Sequence, residues 1–176
     1  MRILYLADDY PNSEVHHNLA QSLSEYSKDN EIIVFSSLRK PFSIEDSRNK
    51  YGKYSYSYVY KDVNISHFIY KYNFWSKRKS KLRGLLKSVD IKTIDFVIAS
   101  TLFSDGAVAL EIYKKFNIPY IASIRDTDIS TYLKIAPHLW LLCSKIIDKS
   151  SHLIFISESL RKRFTKYFVT KIFFNI

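Results

Sequence analysis

The chain has 176 residues, a formal net charge of +10 and 47% hydrophobic residues. That hydrophobic content excludes a disordered chain, and the length suits one compact domain with a core of its own. The charge points to a negatively charged partner, such as nucleic acid, anionic lipid or a phosphorylated substrate, unless it reflects only a bias toward lysine.

In chain order, Arg2–Ala7 reads as a short buried strand. Residues 14–28 read as a helix with Val15, Leu19, Leu23 and Tyr26 at helical spacing, and Ser13 suits its N-cap. Glu31–Ser36 is a second strand, and the polar stretch 39–53, with Pro41 and Gly52, reads as loop. From Ser55 to Asp62 polar and aromatic residues alternate, the period of a half-exposed strand near a sheet edge. Residues 66–89 carry Phe68, Ile69, Tyr72, Trp75, Leu82, Leu85, Leu86 and Val89 in a helical pattern. Ile94–Ala99 is a buried strand, 105–116 a helix, and 119–124 a strand introduced by Pro119. Pro137 fits the first turn of a helix over 137–148, with Leu139, Trp140, Cys143, Ile146 and Ile147 on one side. His152–Ser157 is the last strand, Ser157 caps a short helix, and an apolar run closes the chain.

Only five apolar residues separate Arg2 from Asp8, too few for a signal peptide, and no apolar run approaches the ~18 residues of a membrane span. The single cysteine, Cys143, excludes an internal disulfide and fits a reducing, cytoplasmic compartment.

Alternating strands and helices predict parallel βαβ units: a Rossmann-like, doubly wound, mostly parallel sheet covered on both faces, with no domain boundary. Ligands of such folds sit beyond the carboxyl ends of the strands. Four segments are therefore expected to converge: Asp8–Glu14, Ser100–Gly106, Arg125–Asp128 and Ser157–Glu158. A metal site from Asp8, Asp9, His16 and His17 is disfavoured, because adjacent helical residues point about 100° apart. The two histidines read as surface or cleft-rim residues. A phosphoacceptor domain would need an aspartate ending the third strand, which Asp62 could supply, and a lysine ending the last, where Arg125 stands. Asp128 could equally cap the helical segment that follows it.

The stretch DFVIASTLFSDGAVALEIYKKFNIPYIASIRDTDI resembles the middle of the N-terminal domain of retaining GT-B glycosyltransferases, family 4 being the nearest group. The resemblance lies in Ser104-Asp105-Gly106, in Asn117-Ile118-Pro119-Tyr120, in Arg125-Asp126-Thr127-Asp128 and in SSHLIFISESLRKRF, residues 150–164, all in the family's order. It implies one half of a GT-B fold, the acceptor-side domain, with Arg125 and Asp128 at the catalytic position. Tyr10, Asn12, Ser13, Glu14, Asp105, Gly106, Ser157 and Glu158 are implied to bind substrate. Where the family has a glycine pair after the first strand, this chain has Ser13-Glu14, a departure that disfavours close backbone contact with a phosphate.

The resemblance further implies that a nucleotide-sugar donor is held by a second, C-terminal domain. The chain stops at Ile176, about where relatives cross into that domain. The fragment alone is therefore expected to bind no cofactor and to be inactive. Its expected partner is a glycan or lipid-linked acceptor, in cell-surface polysaccharide synthesis. Lys77, Arg78, Lys79 and Lys81, beside Phe74 and Trp75, read either as an ordinary solvated helix face or as a surface that meets an anionic membrane, peripherally at its inner face. The alternative is a non-catalytic basic Rossmann-like module for nucleic acid or an anionic membrane; nucleic acid is not the expected partner of the enzyme.

Overall fold

A computed structural model describes residues 1–8, 10, 14–26, 30–38, 55–61 and 70–174. Among the described residues six strands form one sheet: β1 (Arg2–Leu6), β2 (Glu31–Leu38), β3 (Ser55–Lys61), β4 (Phe96–Ala99), β5 (Tyr120–Ile124) and β6 (His152–Phe155). All neighbouring pairs are parallel, in the order β3-β2-β1-β4-β5-β6. The aromatic-polar strand β3 lies at the edge, as its alternation predicts. The predicted loop 39–53 and residues 62–69 lie outside the described residues.

The helices are α1 (Glu14–Tyr26), α2 (Tyr70–Ser88), α3 (Ser104–Phe116), α4 (Trp140–Lys149) and α5 (Glu158–Phe174). Short helical turns over Asp128–Tyr132, Leu133–Ile135 and Pro137–Leu139 lead into α4. One side of the sheet carries the larger core. Leu4, Leu6, Phe35, Val97, Ala99 and Ile124 meet Leu82, Leu85 and Val89 of α2, Val108 and Ile112 of α3, Cys143 and Ile146 of α4, and Leu160 and Phe164 of α5. Alternation along each strand sends Ile3, Tyr5, Ile32, Val34 and Ile98 to the other side, where they pack with Tyr10 and Ala20.

Helix α1 does not use the stripe that its apolar residues suggest. Val15 is 70% and Tyr26 90% exposed, whereas His16 and Ala20 are buried and Leu23 packs against the core. The buried line is rotated by one residue, to positions spaced four and three apart. A small residue at 20 lets the helix approach the sheet, and His16 finds polar partners beneath it.

Helix α5 is longer than the short helix predicted. It begins as expected, with the Leu160 amide donating to Ser157 Oγ at 3.1 Å.

Candidate functional site

Strand order reverses direction between β1 and β4, so the loops leaving these two strands part at their carboxyl ends and open a crevice. Two clusters of polar side chains flank that opening, one on each side of the sheet.

On the larger-core side, Lys81 of α2 reaches Asp8, after β1, and Asp105, in the first turn of α3, and pairs with both. Lys81 and Asp105 are 4% and 0% exposed, so this ammonium takes the place a bound cation would occupy between two carboxylates. Burial works against the charge on Lys81, but Asp105 and Asp8 outweigh it and hold the amine above the ordinary lysine range. Burial likewise pushes the Asp105 carboxyl up, opposed by Lys81 and by the Ser100 hydroxyl. Ser100 Oγ donates to Asp105 at 2.7 Å and Thr101 Oγ1 at 3.1 Å. Ser104 Oγ donates to Asp8 at 2.7 Å. The Asp8 side chain keeps 31% of its surface exposed, the most of the three members of the ion triplet.

On the α1 side, Arg125 follows β5 and folds back over β4. Its Nε donates to the Ser100 carbonyl at 2.9 Å, and its Nη2 lies 2.6 Å from His16 Nε2. His16 Nδ1 is hydrogen-bonded to the Tyr5 hydroxyl, the two rings meeting edge to face at 5.6 Å. Burial, then the nearby Asp105 charge, raise the Tyr5 phenol above its ordinary range, so it stays protonated.

Asp128 ties the two neighbouring loops together. Its carboxylate accepts the Arg125 amide at 2.9 Å and the Leu102 amide at 3.3 Å, and it is 1% exposed. Burial pushes its carboxyl up to about 6, against those amide bonds.

Three of the four predicted segments are thus joined by direct hydrogen bonds: Asp8 to Ser104, Ser100 to Arg125, and Asp128 to Leu102. The fourth stands at the carboxyl end of β6, where Ser157 caps α5 and Glu158 pairs with Arg161 at 2.6 Å. Arg163 of α5 links this side to the third segment through Asp126, also at 2.6 Å.

Several predicted site residues are placed differently from their expected roles. Tyr10 is fully buried in the smaller core and its carbonyl accepts from Ser36 Oγ at 2.7 Å, so its ring does not line the crevice. Asp105 is an internal counter-ion rather than a substrate contact. Gly106 faces α4: a Cβ there would stand 3.2 Å from an Ile146 methyl and 3.3 Å from the Thr101 carbonyl, so glycine serves helix packing. Asp128 neither faces the crevice nor caps its own helix; its oxygens are consumed by amides of the preceding loops. His16 is buried, not at the rim. Lys81 is the clearest departure, since two carboxylates draw it inward from the basic surface expected of it. Its neighbour Arg78 is half-buried, with its guanidinium 4.1 Å from the centre of the Trp75 ring, whereas Lys79 is exposed. Glu14 opens α1 and is exposed. Asn12 and Ser13 lie outside the described residues, as does the Lys77 side chain.

Sequence patterning gives no part to Tyr5, puts Asp8, Ser100 and Ser104 in the converging segments without a role of their own, and does not reveal the inward direction of His16 and Lys81. A signal for Lys81 does exist, because it stands four residues before Leu85 and eight before Val89, on the buried stripe of α2. A lysine there needs carboxylate partners.

No protein-family model matches the chain, and no curated protein matches it. Solved structures do share its fold. A structure from Listeria monocytogenes assigned as a UDP-N-acetylglucosamine 2-epimerase aligns with a TM-score of 0.64 at 6% identity, over 94% of this chain and 42% of that one. The UDP-GlcNAc 2-epimerase from Methanocaldococcus jannaschii aligns at 0.56 and 11% identity, over 94% and 42%. Arabidopsis thaliana UGT89C1, solved with UDP, aligns at 0.55 and 11% identity, over 89% and 45%. The chain spans less than half the length of each of these proteins. Its fold is Rossmann-like and corresponds to one half of the GT-B fold.

Proposed function

We propose that this chain is the acceptor-side half of a nucleotide-sugar-dependent glycosyltransferase, retaining and family 4-like, acting on a glycan or lipid-linked acceptor in cell-surface polysaccharide synthesis. The observation that carries the reading is convergence. The loops after β1, β4 and β5, which hold two of the motifs of the family resemblance, interlock around one crevice at the switch point of the sheet. Similarity in fold to nucleotide-sugar enzymes, one of them solved with UDP, is consistent with it.

The division of labour follows from charge. Asp8 leaves a carboxylate partly exposed in the crevice, where it would repel a diphosphate and accept hydrogen bonds from sugar hydroxyls. The donor diphosphate is therefore assigned to a second, donor-binding half, and this half positions the acceptor. No described helix is long and apolar enough to cross a membrane. A peripheral contact of α2 with an anionic surface would rest on its exposed residues Lys79, Arg83 and Lys87.

The test is turnover. Residues 1–176 alone, assayed against UDP-, GDP- and TDP-sugars, are expected to show neither hydrolysis nor transfer; with a donor-binding half supplied in the same polypeptide, transfer is expected. Robust turnover by the chain alone would overturn the division of labour. A steep salt dependence of nucleic-acid binding, with no transfer under any donor, would favour the basic-module alternative.

A further inference from the structure

We propose that Arg125 is an anion subsite of the crevice and that the sugar substrate it meets is acidic, carrying a carboxylate or a phosphate. This deepens the glycosyltransferase reading and rests on it for the identity of the ligand as a sugar.

The inference starts from an uncompensated cation. A guanidinium has donors only. Its Nε is spent on the Ser100 carbonyl and its Nη2 on His16, both neutral acceptors. The described carboxylates nearby are engaged elsewhere: Asp8 and Asp105 with Lys81, and Asp128 with backbone amides, including the amide of Arg125 itself. Among the described residues no carboxylate pairs with the Arg125 guanidinium, and nothing engages its Nη1.

That cation is also held in place from behind. Because Arg125 can only donate, His16 Nε2 must accept, and the ring proton must sit on Nδ1. Nδ1 then donates to the Tyr5 oxygen. A buried imidazole and a buried phenol thus orient a half-buried arginine without neutralising it. A side chain ordered in advance loses little freedom on binding, and an arginine fork suits carboxylate and phosphate equally. Asp8, on the far side of β4, disfavours an anion at its own position and leaves the Arg125 end of the crevice as the place for one.

The experiment uses residues 1–176 and three ligands at constant ionic strength: glucuronate, glucose 1-phosphate and glucose. Binding is followed by titration calorimetry and by the Arg125 Nε–H resonance, a readout that needs no variant. At least one acidic sugar is expected to bind tenfold or more tightly than glucose and to shift that resonance saturably; which one does so separates carboxylate from phosphate. Arg125→Met, which keeps the aliphatic stem, is expected to erase the preference. His16→Leu is expected to reduce it several-fold, while Lys115→Ala, an exposed charge at the other end of α3, leaves it intact. Equal binding of all three ligands, no saturable binding of any, or an equal loss in Lys115→Ala would overturn the proposal. Transfer by a complete enzyme that shows no acidic preference overturns this inference alone. Acidic-sugar binding without transfer under any donor overturns the functional reading alone.

Discussion

The two polar clusters at the carboxyl end of the sheet are built from similar materials and do opposite things. On the α2 side, Lys81 is met by two carboxylates, and the charges close on one another. On the α1 side, Arg125 is met, among the described residues, by a carbonyl, an imidazole and, behind it, a phenol. The first arrangement joins α2, the β1 loop and α3 by ion pairing, and it spends its charge on that. The second fixes an arginine and leaves its charge over. Burial alone does not distinguish the two clusters; whether each donor and each charge is already matched does.

The largest effect expected from breaking this contrast is at Lys81. Lys81→Met leaves Asp105 buried without its cation, a loss of about 3–5 kcal/mol. Adding Asp105→Asn to Lys81→Met should recover part of it, because the uncompensated charge is then gone. Chemical denaturation of both variants checks this. If Lys81→Met unfolds at the wild-type midpoint, Lys81 is a surface lysine after all and the closed cluster does not exist.

Asp128, which connects the β4 and β5 loops, gives a pH signature. Burial raises its carboxyl from 3.8 to about 6 in the folded protein. The folded state therefore holds the proton more tightly than the unfolded one. That contribution to stability is complete below about pH 4 and is lost as pH rises through about 6. At ~1.36 kcal/mol per unit, the whole step is about 3 kcal/mol. Denaturation midpoints measured across this window should fall with rising pH in the wild type, and Asp128→Asn should flatten the slope. A slope identical in the two proteins would show that Asp128 is solvated.

Much of this architecture is legible in the sequence. Apolar runs such as ILYL and FVIA, alternating with helical segments, read as strands covered on both faces, and the polar residues that follow them then share one end of the sheet. That reasoning puts Arg125 at the carboxyl end of β5 and a cap at Ser157, the positions at which the structure has them. Side-chain direction was harder to read. Counting apolar spacing on α1 selected Val15, Leu19 and Tyr26, because hydrophobicity was the only criterion for burial, yet His16 is buried because Tyr5 and Arg125 complete its hydrogen bonds. Lys81 disappeared into a run of basic residues for the same reason: its partners lie 73 and 24 residues away in sequence, and no local pattern connects them. Glycine misled in the other direction, since Gly106 beside Asp105 reads as a ligand-binding turn but answers to Ile146 of α4.

The smallest expected effect is the one that sharpens the contrast most. Tyr5→Phe keeps the ring that meets His16 edge to face and removes only the oxygen that accepts from Nδ1. A buried N–H left without an acceptor costs about 1–3 kcal/mol, and relaxation of the imidazole should bring the loss toward the lower end. The fold therefore survives, and the change falls on the tautomer. In the wild type, nitrogen chemical shifts of His16 should show the proton on Nδ1 and an unprotonated Nε2 facing Arg125. In Tyr5→Phe the Arg125 donor still favours a proton on Nδ1, but the acceptor that completed that tautomer is gone, and the Nε2-protonated form should gain population. Each such molecule turns a donor toward the guanidinium and releases Arg125 from its orientation. Any preference for acidic ligands should fall with the population of that tautomer, by less than in Arg125→Met. Finding Nε2 protonated in the wild type would remove the acceptor Arg125 needs, and with it the distinction between a closed cluster and an open one.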